Sequence, residues 1–376
     1  MKIMIIGAGV GGLAAARALL AHGHDVEMFE QASELRMQGA GIAVWQNGMA
    51  LLDELGVSLD GVGRRIDVLE ARADSGRVLM REDVARMSRR LGATVVTLPR
   101  WRLLERLAAG LPDGLVRFDR RCERFEEHDG QVTVTFTDGS TATGDVVVGA
   151  DGHHSAVRKQ LLGDAALPVG RAAWQGVSPV PIDLVSTHRP VTVVGKAGYC
   201  GLMPAGEGLL QWWFDVDWSP TDPLPDSPVA DLRRRFGHWP APVPDVLAAI
   251  SDDDAGLYPY YRHSVPRRWG SGRCTLLGDA AHVMPPTLAQ GANQALEDAW
   301  SLTQALARSG EVPKLLRRYE HVRRGKVAFV VSASAKQIAQ RSTLMRMSGV
   351  LSDERGTSMH GTLIKRVSNY LSNAQP

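Results

Sequence analysis

The sequence predicts an α/β fold in which a parallel-sheet domain is interrupted by a mixed, mainly antiparallel β-sheet, resumes beyond it and ends in helices. Three observations carry this reading. The first thirty residues read as a complete strand–helix–strand unit. Apolar strands of the same buried kind return at residues 145–148 and 274–277. Between them, residues 168–269 change character, with Pro, Trp and Tyr concentrated among short runs of strand-like pattern. A chain of 376 residues has room for two domains. The expected division is interleaved: 1–70, 100–165 and 271–340 in a discontinuous nucleotide-type domain, 71–99 and 166–270 in a sheet domain, and 341–376 as a C-terminal helical segment.

Taken in order, residues 1–6 are a short buried strand, 11–22 a helix rich in Ala and Leu, and 25–30 a second strand. Residues 131–137 alternate apolar and polar side chains and meet Asp138-Gly139, a turn pair. Residues 191–194 and 209–216 have the composition of antiparallel sheet. Helical periodicity returns at 293–308 and 313–339, and from Met345 a weakly patterned segment predicts a terminal helix with a frayed end.

Composition excludes several classes. A net charge of +2, from 43 basic and 41 acidic residues, leaves no footprint for nucleic acid or an anionic membrane. Three widely spaced cysteines make no disulfide framework and lack metal-ligand spacing, so a reducing, cytoplasmic setting and no metal are expected. Residues 3–20 are apolar, but a single Lys, four glycines and no cleavage context distinguish them from a signal peptide.

Three motifs carry chemistry. Gly7-Ala8-Gly9-Val10-Gly11-Gly12 lies between a strand and a helix. Gly7 permits the tight turn, Gly9 lets backbone approach a pyrophosphate, and Gly12 allows close helix–strand packing. This is a Rossmann-type fingerprint, and Glu30 at the end of the second strand can accept both hydroxyls of an adenosine ribose. The carboxylate argues against a 2′-phosphate but does not separate NAD from FAD. In the second motif, Gly278-Asp279-Ala280-Ala281-His282 follows a strand, and Pro285-Pro286 then stiffens the path to Gln290-Gly291-Ala292-Asn293, which opens a helix. An Asp at such a strand end suits a polyhydroxyl chain, and the Gly291 backbone can face a delocalised anion. The third, residues 145–158, delivers Asp151 on a small-residue turn, with Ser155 as helix N-cap and Arg158 in the first turn.

In this order and spacing the three motifs resemble the class A, single-component FAD-dependent aromatic hydroxylases. Gln38-Gly39-Ala40-Gly41-Ile42, the helix start at Arg100-Trp101-Arg102-Leu103 and Tyr319-Glu320-His321-Val322-Arg323 extend the resemblance to about 340 residues in outline. It implies a Rossmann-type FAD-binding domain with an inserted substrate sheet. FAD would be held by Gly7, Gly9, Gly11, Gly12, Glu30, Arg36, Gly41, Arg100, Asp151, Asp279, Gly291, Ala292 and Asn293, with NADH or NADPH as a transient reductant. It further implies monooxygenation, hydroxylating or epoxidising an aromatic or polyketide-like molecule with O2 through a C4a-hydroperoxyflavin. Asp151 and Arg158 would belong to the family's D-G motif, tied to FAD and nicotinamide binding. Ala289 and Thr287 stand where the family usually has Gly and Phe or Asn, and Gln46 replaces the usual Pro. The extra C-terminal thioredoxin-like domain of longer relatives is not expected.

No acid–base residue is required by flavin chemistry. The Pro286 loop is expected near the isoalloxazine, and His282 is a weak candidate base against the plainer reading of a loop-ordering histidine. His153-His154 lacks a completing metal ligand, and the Asp252–Asp254 run reads as a solvated cluster. For substrate contact, Trp212, Tyr260 and Pro285 are the weak candidates, since Trp212 and Trp213 on one strand cannot face the same pocket. Two alternatives stay open: a flavin oxidoreductase without oxygen insertion, and a flavin-bound ligand-binding module. A flavin-dependent halogenase lacks its Trp-x-Trp-x-Ile-Pro signature here.

Overall fold

A computed structural model describes residues 1–35, 39–339, 352–374 and 376. The nucleotide-type part is built on a five-stranded parallel sheet in the order Cys274–Leu276, Val146–Gly149, Lys2–Ile6, Asp25–Phe29 and Val116–Arg117. Residues 3–6 and the strand Val146–Gly149 at its centre are apolar and buried because helices and a second layer cover both faces. The helix Val10–Ala21 packs against Gly291–Leu306, and Ala14, Ala15, Ala16 and Ala18 are all buried on it. Small side chains let the two helices approach closely.

The helix 293–308 expected from sequence begins two residues earlier, at Gly291, and 313–339 is Val312–Ala339. A three-stranded antiparallel sheet, Cys122–His128, Gln131–Phe136 and Thr141–Gly144, closes one side of the parallel sheet.

The second large unit is a seven-stranded sheet in the order Gly256–Arg262, Leu167–Pro179, Leu209–Asp217, Gly198–Gly206, Val191–Gly195, Val68–Ala73 and Val78–Asp83. Every neighbouring pair is antiparallel except Val191–Gly195 with Val68–Ala73. The strand Val68–Ala73 straddles the expected junction at residue 70 and lies wholly in this sheet. Val96–Pro99, placed by sequence with the sheet domain, pairs instead with Gly41–Val44 and Arg64–Arg65 in a small separate sheet.

On the seven-stranded sheet, period-2 alternation separates two surfaces. Trp174, Leu202, Leu210, Trp212 and Phe214 pack into a core under the helices Pro228–Phe236 and Val243–Ala249. The opposite face looks towards the parallel-sheet unit. A C-terminal helix, Asp353–Val367, lies along the edge strand Val78–Asp83. No helix among the described residues is long and apolar enough to cross a membrane.

Where the chain leaves the large sheet, His263 donates its backbone N–H to Val283 O, and its ring is 1% exposed with both nitrogens unpartnered. Burial, helped by the charge of Arg158, pushes the imidazole down to about 4 from 6.5. The folded state therefore holds the neutral form while the unfolded chain takes up the proton first. Stability is expected to fall as pH drops from 6.5 towards 4, by about 1–3 kcal/mol from this residue. Denaturant titrations across that range should show a shallower acid dependence in His263→Phe than in wild type, and equal slopes would contradict the assignment.

Candidate active site

A cavity of about 1270 Å³ runs between the parallel-sheet unit and the inner face of the seven-stranded sheet. At one end lies the glycine loop. Gly7 has φ +108°, and a Cβ there would stand 2.4 Å from Ala150 O. A Cβ on Gly12 would stand 2.0 Å from Gly7 O, and one on Gly11 2.4 Å from Leu277. The protein's own backbone thus demands glycine at 7 and 12, while at Gly11 the crowding comes from the Leu277 side chain. Gly9 is different: among the described residues, the nearest atom to its Cβ position is the Arg100 guanidinium, 3.9 Å away. Gly9 lines the cavity and caps a helix with no side-chain partner for the first N–H groups. Open space, unpaired donors and an adjacent cation fit a pyrophosphate.

Glu30 terminates the second strand. Its Oε2 accepts from Ala8 N at 2.8 Å and its Oε1 from Ala32 N at 2.9 Å. The two bonds fix the carboxylate beside the loop and leave further lone pairs for ribose hydroxyls. Arg36 lies outside the described residues. Gly41, Arg100, Asp279, Gly291 and Ala292 all line the cavity, with Asp279 Oδ1 4.0 Å from a Cβ position at Gly291. The helix starting at Gly291 likewise has no side-chain cap and opens into the cavity. Asn293 works as a staple: Oδ1 accepts from Trp45 N at 2.9 Å, and Nδ2 donates to Ala43 O and Ala289 O. Ala289, where a Gly is usual, has φ +47°, a left-handed conformation that costs a residue with a Cβ about 1–2 kcal/mol.

Behind this loop, His282 is fully buried and does not reach the cavity. Its Nε2 is 2.5 Å from Asp298 Oδ2, which also accepts from Gly278 N at 2.9 Å, while Oδ1 accepts from Arg323 Nε at 2.5 Å. Burial acts to raise Asp298, but the charges and hydrogen bonds of His282 and Arg323 prevail and hold its carboxyl below the ordinary range. The loop-ordering role of His282 is the one its geometry supports.

Asp151 is also turned away from the cavity. Its carboxylate accepts from Ser155 Oγ at 2.5 Å and from Ala156 N at 2.7 Å, tying the turn to the helix Ala156–Leu162. Burial pushes it above the ordinary carboxylate range against those bonds. Ser155 caps that helix, accepting from Arg158 N. Arg158 is 1% exposed and donates to Ala280 O, Ala281 O, Ser264 O and Asp164. Such a saturated guanidinium supports the Asp279 loop from below. The neighbours of Asp151, Ala150 and Gly152, line the cavity.

The other end of the cavity corrects the choice of aromatics. Trp212 is fully buried in the far core and donates Nε1 to Ser178 Oγ at 3.2 Å, so it is not a wall residue. By the two-residue period, Gln211, Trp213 and Asp215 face inward. The Trp213 indole lies across Gly201, where a Cβ would be 1.9 Å from the ring. Tyr260 does line the cavity, donating to Asp215 Oδ1 at 2.5 Å, and burial raises its phenol well above the ordinary value. Pro285 is buried before a short 3₁₀ turn, and Pro286 is the proline that faces the cavity. The C-terminal helix was not expected from sequence as a wall, although Gly356, His360, Leu363 and Arg366 recur on one helical face.

The glycines give a discriminating test. Gly9→Val should leave the thermal midpoint of the protein without cofactor within about 2 °C of wild type, while weakening dinucleotide binding at least about tenfold. Gly12→Ala should destabilise the fold itself, because backbone stands in the way. Equal effects on stability from both would contradict the reading.

Comparison with known proteins agrees with this geometry. The model of the FAD binding domain family matches residues 1–334. An FAD-dependent urate hydroxylase of Klebsiella pneumoniae is 33% identical, over 90% of this chain and 89% of its own. A 3-amino-4-hydroxybenzoate 2-monooxygenase of Streptomyces cremeus is 35% identical, over 90% of this chain and 87% of its own. Among solved structures, Klebsiella pneumoniae HpxO complexed with FAD and uric acid superimposes with a TM-score of 0.91 at 29% identity, covering 97% of each chain. The chain belongs to the class A FAD-dependent aromatic hydroxylases, oxidoreductases that bind FAD through this domain.

Proposed function

We propose that this protein hydroxylates a small, planar, electron-rich aromatic or heteroaromatic ring, drawing electrons from NADH or NADPH and one oxygen atom from O2. The observation that carries this reading is the continuity of one cavity from the open Gly9 loop to a chamber floored by Trp213. Gly7, Gly9, Gly12, Glu30, Arg100 and Asp279 would hold the dinucleotide portion of FAD, and the Gly291 helix start would face its ring. FAD, when bound, supplies the electron transfer and the oxygen activation. The chain supplies placement and exclusion of water. Trp213, lying flat over Gly201, offers a planar aromatic surface suited to stacking a flat substrate. Tyr260 and Asp215 present a buried, hydrogen-bonded pair that can accept from a ring hydroxyl or N–H. Pro286 lies on the chamber wall and has no backbone N–H to satisfy there.

Uric acid, 3-amino-4-hydroxybenzoate and 6-hydroxynicotinate, the substrates named for relatives, share a flat ring with hydroxyl or ring nitrogen and form the first panel. FAD-loaded protein should show substrate-stimulated NAD(P)H oxidation with one of them or a close analogue. The product should gain one oxygen, labelled when labelled O2 is supplied. NAD(P)H consumption with no oxygenated product from any flat hydroxylated ring would favour an oxidoreductase without oxygen insertion; ligand binding without consumption would favour a binding module.

The two tryptophans separate floor from core. Trp213→Ala should raise KM at least about tenfold with little loss of stability, while Trp212→Ala should cost about 3–5 kcal/mol of folding free energy. Thermal melts and steady-state kinetics on the pair check this, and the reverse pattern would contradict the assignment of faces.

A further inference from the structure

The C-terminal helix carries a histidine whose surroundings are those of an oriented base. The edge strand Val78–Asp83 directs two backbone N–H groups outward, and the helix Asp353–Val367 receives them: Arg81 N donates to Asp353 Oδ1 at 2.9 Å and Asp83 N to Thr357 Oγ1 at 3.0 Å. Gly356 admits Met80, whose Sδ would stand 2.5 Å from a Cβ there. These contacts fix the register of helix on strand. One turn on, His360 Nδ1 meets Glu82 Oε2 at 2.6 Å, and the imidazole packs on Trp45 with ring centroids 4.5 Å apart. Glu82 is 7% exposed, and both it and His360 line the cavity. The backbone N–H of Trp45 is held by Asn293, on the helix whose start faces the cofactor ring.

With Glu82 accepting the bond at Nδ1, a neutral imidazole carries its proton there and presents the Nε2 lone pair on the opposite side of the ring. We propose that His360 accepts the proton of a substrate ring hydroxyl in this chamber, with Glu82 as its positioning residue. The substrate O–H bond breaks, Nε2–H forms, and the electron pair stays on oxygen as a phenolate. Delocalisation of that pair enriches the ring carbons ortho and para to the oxygen. No oxidant or reductant enters this step. Among the described residues, Glu82 is the charged group within hydrogen-bond distance of the imidazole. Other titratable or charged groups on packed elements are Asp353, Glu354, Arg355, Lys365 and Arg366 on the same helix, Arg81 and Asp83 on the edge strand, Arg86, Arg89 and Arg90 on the helix that follows it, and Asp215 across the cavity.

The inference rests on the proposed hydroxylation, but its test begins without turnover. Para-nitrophenol, which changes colour on ionisation, is titrated into FAD-loaded protein with no reductant present. Wild type should ionise the bound probe at a pH at least about one unit below the free phenol, and His360→Gln should abolish the shift at unchanged FAD occupancy. With a hydroxylated panel substrate, kcat in His360→Gln should fall about a hundredfold with KM within about threefold. Added imidazole should partly restore His360→Ala. Glu82→Gln, which exchanges an acceptor oxygen for an amide beside the imidazole, should shrink the probe shift at unchanged FAD occupancy. A wild type that leaves the probe un-ionised, or a His360→Gln variant matching wild type in ionisation and kcat, overturns the proposal. If no substrate is hydroxylated yet the probe shift depends on His360, the base assignment stands and the proposed reaction fails instead.

Discussion

The arrangement depends on one buried charge. Asp298, fully enclosed on the helix Gly291–Leu306, gathers donors from the backbone of Gly278, the ring of His282 and the guanidinium of Arg323. A carboxylate in such a place is costly unless each lone pair is engaged, and removing one partner of a buried pair typically costs about 3–5 kcal/mol. Because the donors come from two separate parts of the chain, the Gly278–His282 turn and the helix Val312–Ala339, satisfying the charge fixes where those parts stand. Gly278 and His282 bracket Asp279 and set its approach to the cavity. Arg323 continues to Asn369 Oδ1 and the Gln294 side chain, so the closing helix and C-terminal segment are tied to the same point. Arg158 holds the loop from the other side through the carbonyls of Ala280 and Ala281.

Polar groups one layer behind the cavity thus do the positioning, leaving the groups that face it free to meet ligands. Gly9, Asp279 and Gly291 have little protein against them on the cavity side, whereas Asp151, Arg158 and Asn293 are saturated by protein and His282 is held through Nε2 by Asp298. The same division holds on the seven-stranded sheet. Its far face is an apolar core that makes the sheet rigid, and its near face carries the mixture of aromatic and polar groups that a small substrate can use.

The glycine fingerprint was legible because backbone sterics dictate residue type there: with a Cβ 2.0 Å from a carbonyl, glycine is obligatory. The strand–helix–strand start and the two long helices were legible by periodicity. The tryptophan choice failed although the sequence held the signal, since Leu210, Trp212, Phe214 and Val216 form the purely apolar set and Gln211 and Asp215 flank Trp213. Asp151 and Arg158 could not be separated from ligand-binding groups by sequence. The carbonyls that saturate Arg158, those of Ala280 and Ser264, lie 122 and 106 residues further along the chain. The C-terminal helix was illegible as a cavity wall for a related reason. Its inward stripe mixes Gly, His, Leu and Arg, which has meaning only once the edge strand beside it is known.

The most direct test of this account is FAD affinity in Asp298→Asn, measured by flavin fluorescence titration of apoprotein that still melts cooperatively. A neutral amide at this position would lack the charge that draws His282 and Arg323 together. The Asp279 loop should then loosen and FAD should bind at least about tenfold more weakly, although Asp298 itself lies behind the cavity wall. Wild-type FAD affinity in a folded Asp298→Asn protein would contradict the claim that this buried charge sets the cofactor site.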